Sequence, residues 1–255
     1  MISIEHRRQF ILDVVSKHGY TRVTDLAEQL GVTGATIRGD LRYLESQGKL
    51  VRSHGGALTA TTTVIDLRED VKKMANVEAK EAIANTASSL VAASDSIMIA
   101  SGSTMAAFAN RLNPVGHLNV VTPSIRIAMS FVDNPDVTVV QLGGVIYGNT
   151  LSTRGNYAEA GLDLFQCNKL FFGVEGFDLT SGLTCATVEE ANLTKKMIKS
   201  ATQVVVLADS SKYCRRGFGK ICNFDDVDIL VTDSRLSNEA REMIEALGTE
   251  VIIAN

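Results

Sequence analysis

Apolar residues in the first sixty positions recur with helical spacing. Ile4, Phe10, Ile11, Val14 and Val15 predict a helix over residues 4–17. Val23, Leu26, Ala27 and Leu30 fall at i, i+3, i+4 and i+7 and predict a second helix, with Thr24 as its N-cap and Gly31 at its end. Thr33 opens a third helix reaching residue 47. Its buried side is read as Ala35, Ile37, Leu41 and Leu44, and its other side carries Thr36, Arg38, Arg42 and Tyr43. Gly48 stops that helix, and KLVRSHGGAL divides into two short strands joined at His54-Gly55-Gly56. Two helices joined by a tight turn, the second basic on its outer face, fit the helix-turn-helix arrangement that enters a major groove, with the hairpin behind it as a wing; on spacing alone they fit an ordinary helical hairpin with a solvated charged face equally well.

From residue 76 the pattern becomes an alternation of amphipathic and β-branched runs. Strands are expected at SIMIAS, LNVVTP, VTVVQLGG, KLFFGVEG, VVVLADSS, DILVTD and EVIIA, with helices among them. Such an alternation predicts an α/β body with a mainly parallel sheet covered on both faces. The division expected is a winged helix-turn-helix over residues 1–58, a linker over 59–75 and a sensing domain over 76–255.

Charge sharpens this picture. The chain of 255 residues carries a net charge of −4, yet residues 1–58 hold eight Lys/Arg against six Asp/Glu, while the rest holds 17 against 23. A slightly basic head on an acidic body can bind DNA through local charge, with an affinity that falls as salt rises. Cys167, Cys185, Cys214 and Cys222 form no C-x-x-C pair and have no His at ligand spacing, so reduced thiols and no metal are expected. No apolar run is long enough to span a membrane and no export signal opens the chain, so a cytoplasmic protein is expected.

Parallel sheets bind ligands beyond the carboxyl ends of their strands. Ser101-Gly102-Ser103-Thr104 lies at such an end and runs into a helix, an arrangement suited to an anion. Read alone, it is more simply an ordinary turn with a hydroxyl cap. Thr122-Pro123-Ser124, Gly143-Gly144 and Asp209-Ser210-Ser211-Lys212 close other strands, and each by itself is also consistent with a plain turn.

The run TGATIRGDLRYLESQGKLVRSHGGA closely resembles the signature of the DeoR/GlpR family of bacterial transcriptional regulators. Thr33 stands where that family usually has Ser, and Gly39 where it usually has a second Arg. The body resembles the family's sensor series in order: ASGST at 100–104, TPS at 122–124, LGG at 142–144, GVEGFD at 173–178 and ADSSKY at 208–213. Ala100 replaces the usual Asp and Pro123 the usual Asn. The resemblance implies a body similar in fold to ribose-5-phosphate isomerase that binds a phosphorylated sugar or sugar alcohol. It implies effector contacts from Ser101, Gly102, Ser103, Thr104, Thr122, Ser124, Gly143, Gly144, Arg154, Glu175 and Lys212. A further Glu is matched by Glu189 or Glu190, and Arg215 or Arg216 can close over a ligand. DNA contacts fall on Thr33, Thr36, Arg38, Arg42, Tyr43, Arg52 and His54.

An aldose–ketose isomerase is the alternative, since Glu175, Asp178 and Glu189/Glu190 are carboxylates near the expected site. The multi-glycine turn of those enzymes is absent, and a winged head has little use in one. The expectation is therefore a non-enzymatic repressor without cofactor, binding double-stranded operator DNA as a homo-oligomer, dimer or tetramer, for a carbohydrate catabolic operon.

Overall fold

A computed structural model describes residues 3–18, 20–47, 49–53, 55–59, 72, 75–114 and 116–255. Gly48, His54 and nearly all of the expected linker 59–75 lie outside the described residues.

The head consists of α1 (Ile4–His18), β1 (Tyr20–Arg22), α2 (Val23–Leu30), α3 (Gly34–Ser46), β2 (Leu50–Ser53) and β3 (Gly56–Thr59). Ile11, Val15, Val23, Leu26, Leu30, Ile37, Leu41, Leu44, Leu50 and Ala57 form its core. Gly31 ends α2 at φ +62°, a conformation costly for other residues, and its amide bonds back to Glu28. The expected cap of α2 is wrong: the helix starts at Val23, so Thr24 lies inside the first turn and donates to Asp25 instead. Ala35 is exposed rather than buried, and Phe10 is 38% exposed. Ala35 precedes Ile37 by two residues, about 200° around the helix, which turns it away from the buried side.

The body opens with α4 (Val77–Ser88) and is built on β4 (Ser96–Ile99), β5 (Leu118–Thr122), β6 (Val137–Gln141), β9 (Cys167–Phe172), β12 (Ala201–Leu207), β14 (Ile229–Asp233) and β15 (Glu250–Ala254). All seven pair in parallel in the order β15-β14-β12-β9-β4-β5-β6. Helices α5 (Ser103–Arg111), α6 (Ile125–Phe131), α7 (Asn156–Gly161), α8 (Val188–Lys199) and α9 (Asn238–Glu245) complete the crossovers. Two core clusters cover the sheet's two faces, one around Phe172, Phe177 and Phe224, the other around Phe108 and Phe171.

Sequence periodicity did not foresee the short antiparallel pieces. β7 (Val145–Tyr147) pairs with β8 (Ser152–Arg154), and β10 (Gly176–Asp178), β11 (Gly182–Cys185) and β13 (Gly219–Cys222) form a small sheet beside the carboxyl edge. The small sheet packs backbone on backbone. A Cβ on Gly217 would lie 2.0 Å from the Cys185 carbonyl oxygen, and one on Gly219 2.2 Å from that of Thr187. Among the described residues no helix is long and apolar enough to cross a membrane.

Candidate functional site: the winged head and the strand-end crevice

Packing of α3 buries Ile37, Leu41 and Leu44 and leaves Arg38 and Arg42 exposed on the other side. Thr33 caps the helix, accepting from the Thr36 amide at 3.2 Å, and its hydroxyl lies 2.9 Å from that of Thr36. Asp40, only 3% exposed, ties α3 to α1 through Arg7 Nε at 2.5 Å and Arg8 Nε at 2.9 Å. Arg8 also sits 3.6 Å above the Tyr43 ring, so Tyr43 is partly covered rather than standing clear. Periodicity contained a signal for Asp40, a carboxylate on the apolar stripe of α3.

The wing is held at both ends. The Val23 amide donates to the Gly55 carbonyl at 2.8 Å, and Arg52 donates to Glu45 from its amide at 3.0 Å and from Nε at 2.5 Å. A groove lined by Val23, Arg38, Leu41, Arg52, Gly55 and Gly56 runs between α3 and the wing, flanked by two arginines. At Gly39 a Cβ would meet nothing within 4 Å.

In the body, strand order grows away from β4 in one direction through β5 and β6, and away from β9 in the other through β12, β14 and β15. The switch point therefore falls between β4 and β9, where doubly wound sheets open a crevice at their carboxyl ends. Residues after β4, β9 and β12 line it from adjacent positions, so its width from the first to the third is two strand spacings, about 10 Å. On one side stand Ser101 and Gly102, with Ser103 and Thr104 opening α5; all four are partly exposed. Gly102 takes φ +131°, and no side chain caps α5.

Glu175 follows the neighbouring strand β9. Lys212 Nζ donates to one of its carboxylate oxygens at 2.9 Å and Lys72 Nζ to the other. Burial pushes the Glu175 carboxyl up, but Lys212 and Lys72 outweigh it and draw the group down to about 2. Lys80 reaches the same place from α4, donating to the carbonyls of Ala75, at 2.7 Å, and Lys72. Burial lowers the Lys80 ammonium, with Asp209 opposing. Asn76 donates to Asp209 at 2.9 Å and to Ser211 at 3.0 Å, which fixes the loop carrying Lys212. Sequence reasoning missed Lys72, Lys80 and Asn76. For Lys80 a signal existed: it shares the helical face of Ala79, Ile83, Ala84 and Ala87, all buried.

The other named residues are placed further out or are used internally. Thr122 is fully buried and its hydroxyl accepts from the Ser124 amide at 3.1 Å. Ser124 in turn caps α6. Gly143 and Gly144 lie at the end of β6, and a Cβ on Gly144, at φ +134°, would approach the Arg154 carbonyl oxygen to 3.2 Å. Arg154, 3% exposed, donates to Thr187 at 2.8 Å and Thr150 at 3.0 Å, pairs with Glu190 at 3.6 Å, and keeps its Nε buried without a hydrogen-bond partner. Of the two candidate glutamates, Glu190 is thus the one that faces Arg154. Arg216 pairs with Asp178 at 2.7 Å.

A winged helix-turn-helix on a doubly wound body with a cationic strand-end crevice defines a DNA-binding transcriptional regulator with a sensor domain. The chain belongs to the DeoR family: residues 7–63 match the DeoR-like helix-turn-helix domain and residues 75–234 the DeoR C terminal sensor domain. It is similar to the HTH-type transcriptional regulator YulB of Bacillus subtilis, at 34% identity over 95% of this chain and 93% of that one. It is also similar to the HTH-type transcriptional regulator GlpR of Haloferax volcanii, at 33% identity over 99% and 98%. Among solved structures, ribose 5-phosphate isomerase A of Methanocaldococcus jannaschii superposes with a TM-score of 0.39 at 20% identity, covering 55% of each chain. At that level the likeness carries no functional weight. The relatives are regulators, and the expected membership and class hold.

Proposed function

We propose that this regulator represses a sugar or sugar-alcohol catabolic operon and is released from its operator by a phosphorylated effector. The division of labour is a DNA-reading head over residues 1–58, a linker over 59–75 and a sensor over 76–255. Arg38 and Arg42 reach base edges or phosphates from α3, Thr33 and Thr36 hold its N-terminus, and Arg52 and His54 serve the wing. Phosphate contacts position such a head and base-edge contacts give it sequence preference. Two heads on one duplex call for a homo-oligomer and repeated half-sites.

The observation that carries the sensing half is the crevice at the β4/β9 switch point. There α5, whose N-terminus no side chain caps, follows β4, and Lys72, Lys80 and Lys212 gather around Glu175, which follows the neighbouring strand β9. Helix amides and ammonium groups suit a phosphate. An ionised carboxylate accepts from sugar hydroxyls. The effector releases DNA by binding the DNA-free arrangement more tightly. Thermal unfolding against a panel of sugar phosphates, with the parent sugars and inorganic phosphate as controls, tests this: a ligand of the folded state raises the midpoint by mass action. One sugar phosphate should shift the wild type and fail to shift Lys212→Met. A panel without effect refutes the sensing role.

A further inference from the structure

Lys72 belongs to neither of the two stretches that match the family, since one ends at residue 63 and the other begins at residue 75. It is nevertheless built into the crevice by both its side chain and its main chain. Its Nζ donates to Glu175, its carbonyl accepts from Lys80 Nζ, and the Ala75 amide donates to that same carbonyl at 3.2 Å. Its side chain is 16% exposed, against 18% for Lys212, so it is as enclosed as the lysine at the end of β12. Surface lysines on connecting segments ordinarily keep their ammonium groups in water.

We propose that Lys72 is an effector-contacting residue, supplied by the segment between head and body, which the bound anion recruits and does not displace. This rests on the sensing role given above for the crevice. The argument is one of charge. The cluster comprises Lys72, Lys80 and Lys212 against Glu175 and Asp209. A phosphate dianion beside it leaves one excess negative charge if Lys72 stays and two if Lys72 withdraws. In a site screened from water the second arrangement is the costlier, and it also strips the buried Glu175 of one of its two cations. The anion therefore strengthens the attachment of residue 72 to the body. A ligand held by the connecting segment is coupled to whatever moves the head, and the coupling is reciprocal: an operator-bound arrangement that draws the segment away weakens effector binding by the same factor.

The experiment uses the full-length protein with inorganic phosphate and a set of hexose 6-phosphates as probes. Wild type, Lys72→Met, Lys72→Arg and Lys212→Met are followed by thermal unfolding, and the Ala75 amide by hydrogen exchange. The expected result is a midpoint shift in the wild type that needs at least about tenfold more probe in Lys72→Met, the loss of roughly one charged contact. Lys72→Arg should restore most of it, and exchange at Ala75 should slow when probe binds. A full shift in Lys72→Met, with the shift lost in Lys212→Met, overturns the role of Lys72 while the crevice stands. Faster exchange at Ala75 on adding probe means displacement and overturns it too. A wild type that no probe moves removes both the crevice reading and the role of Lys72.

Discussion

Replacing Glu175 by Gln keeps the side-chain volume and removes the charge that Lys72 and Lys212 share. The carboxyl is drawn from its usual 4.5 to about 2. At about 1.4 kcal/mol for each tenfold change in acidity constant, that move is worth roughly 3 kcal/mol at neutral pH. Breaking a buried pair by removing one partner costs a similar amount, about 3–5 kcal/mol. Glu175 is 12% exposed, so solvent screening takes little from this figure. The carboxyl is more acidic folded than unfolded. Its contribution is therefore fully present above about pH 4.5 and is lost as pH falls toward 2. Gln stands in for the protonated carboxyl, so the gap in unfolding free energy between wild type and Glu175→Gln should be roughly 3 kcal/mol at about pH 7 and less than half of that at about pH 3. Urea unfolding followed by circular dichroism across this range reads the gap directly. A gap that stays constant from neutral pH to about pH 3, or never exceeds about 1 kcal/mol, would show that the lysines do not hold the carboxylate as described.

Asp40→Ala should destabilise the head by about 3 kcal/mol, because Arg7 and Arg8 lose a carboxylate only 3% exposed; urea unfolding followed by circular dichroism reads it. Gly39→Ala should stabilise the head by about 1 kcal/mol in the same measurement, since a Cβ there meets nothing within 4 Å. Gly39→Arg should steepen the salt dependence of DNA binding by about one counterion in a titration against sodium chloride, and an unchanged slope would place that position off the duplex. Gly217→Ala should cost about 3 kcal/mol or more, because its Cβ would lie 2.0 Å from the Cys185 carbonyl oxygen; an unshifted unfolding midpoint would refute the close approach.

What could be read from the chain depended on how local each feature is. The head and the seven parallel strands were legible because their apolar spacing persists over whole elements, as in Ile37, Leu41 and Leu44 or in VVVL before Ala208. The pairs β7–β8 and β10–β11–β13 were not, for strands of three or four residues are too short to show a period. The Thr24 cap failed because a boundary shift of one residue moves a cap into the helix. Ser101 to Thr104 and Lys212 were picked out at strand ends and, with Glu175, through motif resemblance, and the topology makes their strands neighbours. Thr122 and Ser124 instead spend their hydroxyls on local turns. Lys80 left a trace as a cation on a buried face. Lys72 left none, because the carboxylate its ammonium reaches, Glu175, lies 103 residues further along the chain.

The crevice draws on residues 72, 80, 101–104, 175 and 212, and its floor is a sheet whose edge strand ends at Ala254. The head, by contrast, closes its core by Ala57. Synthesis from the N-terminus thus delivers the helix-turn-helix head long before the residues proposed to hold the effector. A chain cut short between these points retains the residues of the head's core and lacks those of the crevice. Premature termination in this gene is therefore expected to give, beside simple loss, fragments that occupy DNA and are deaf to the signal.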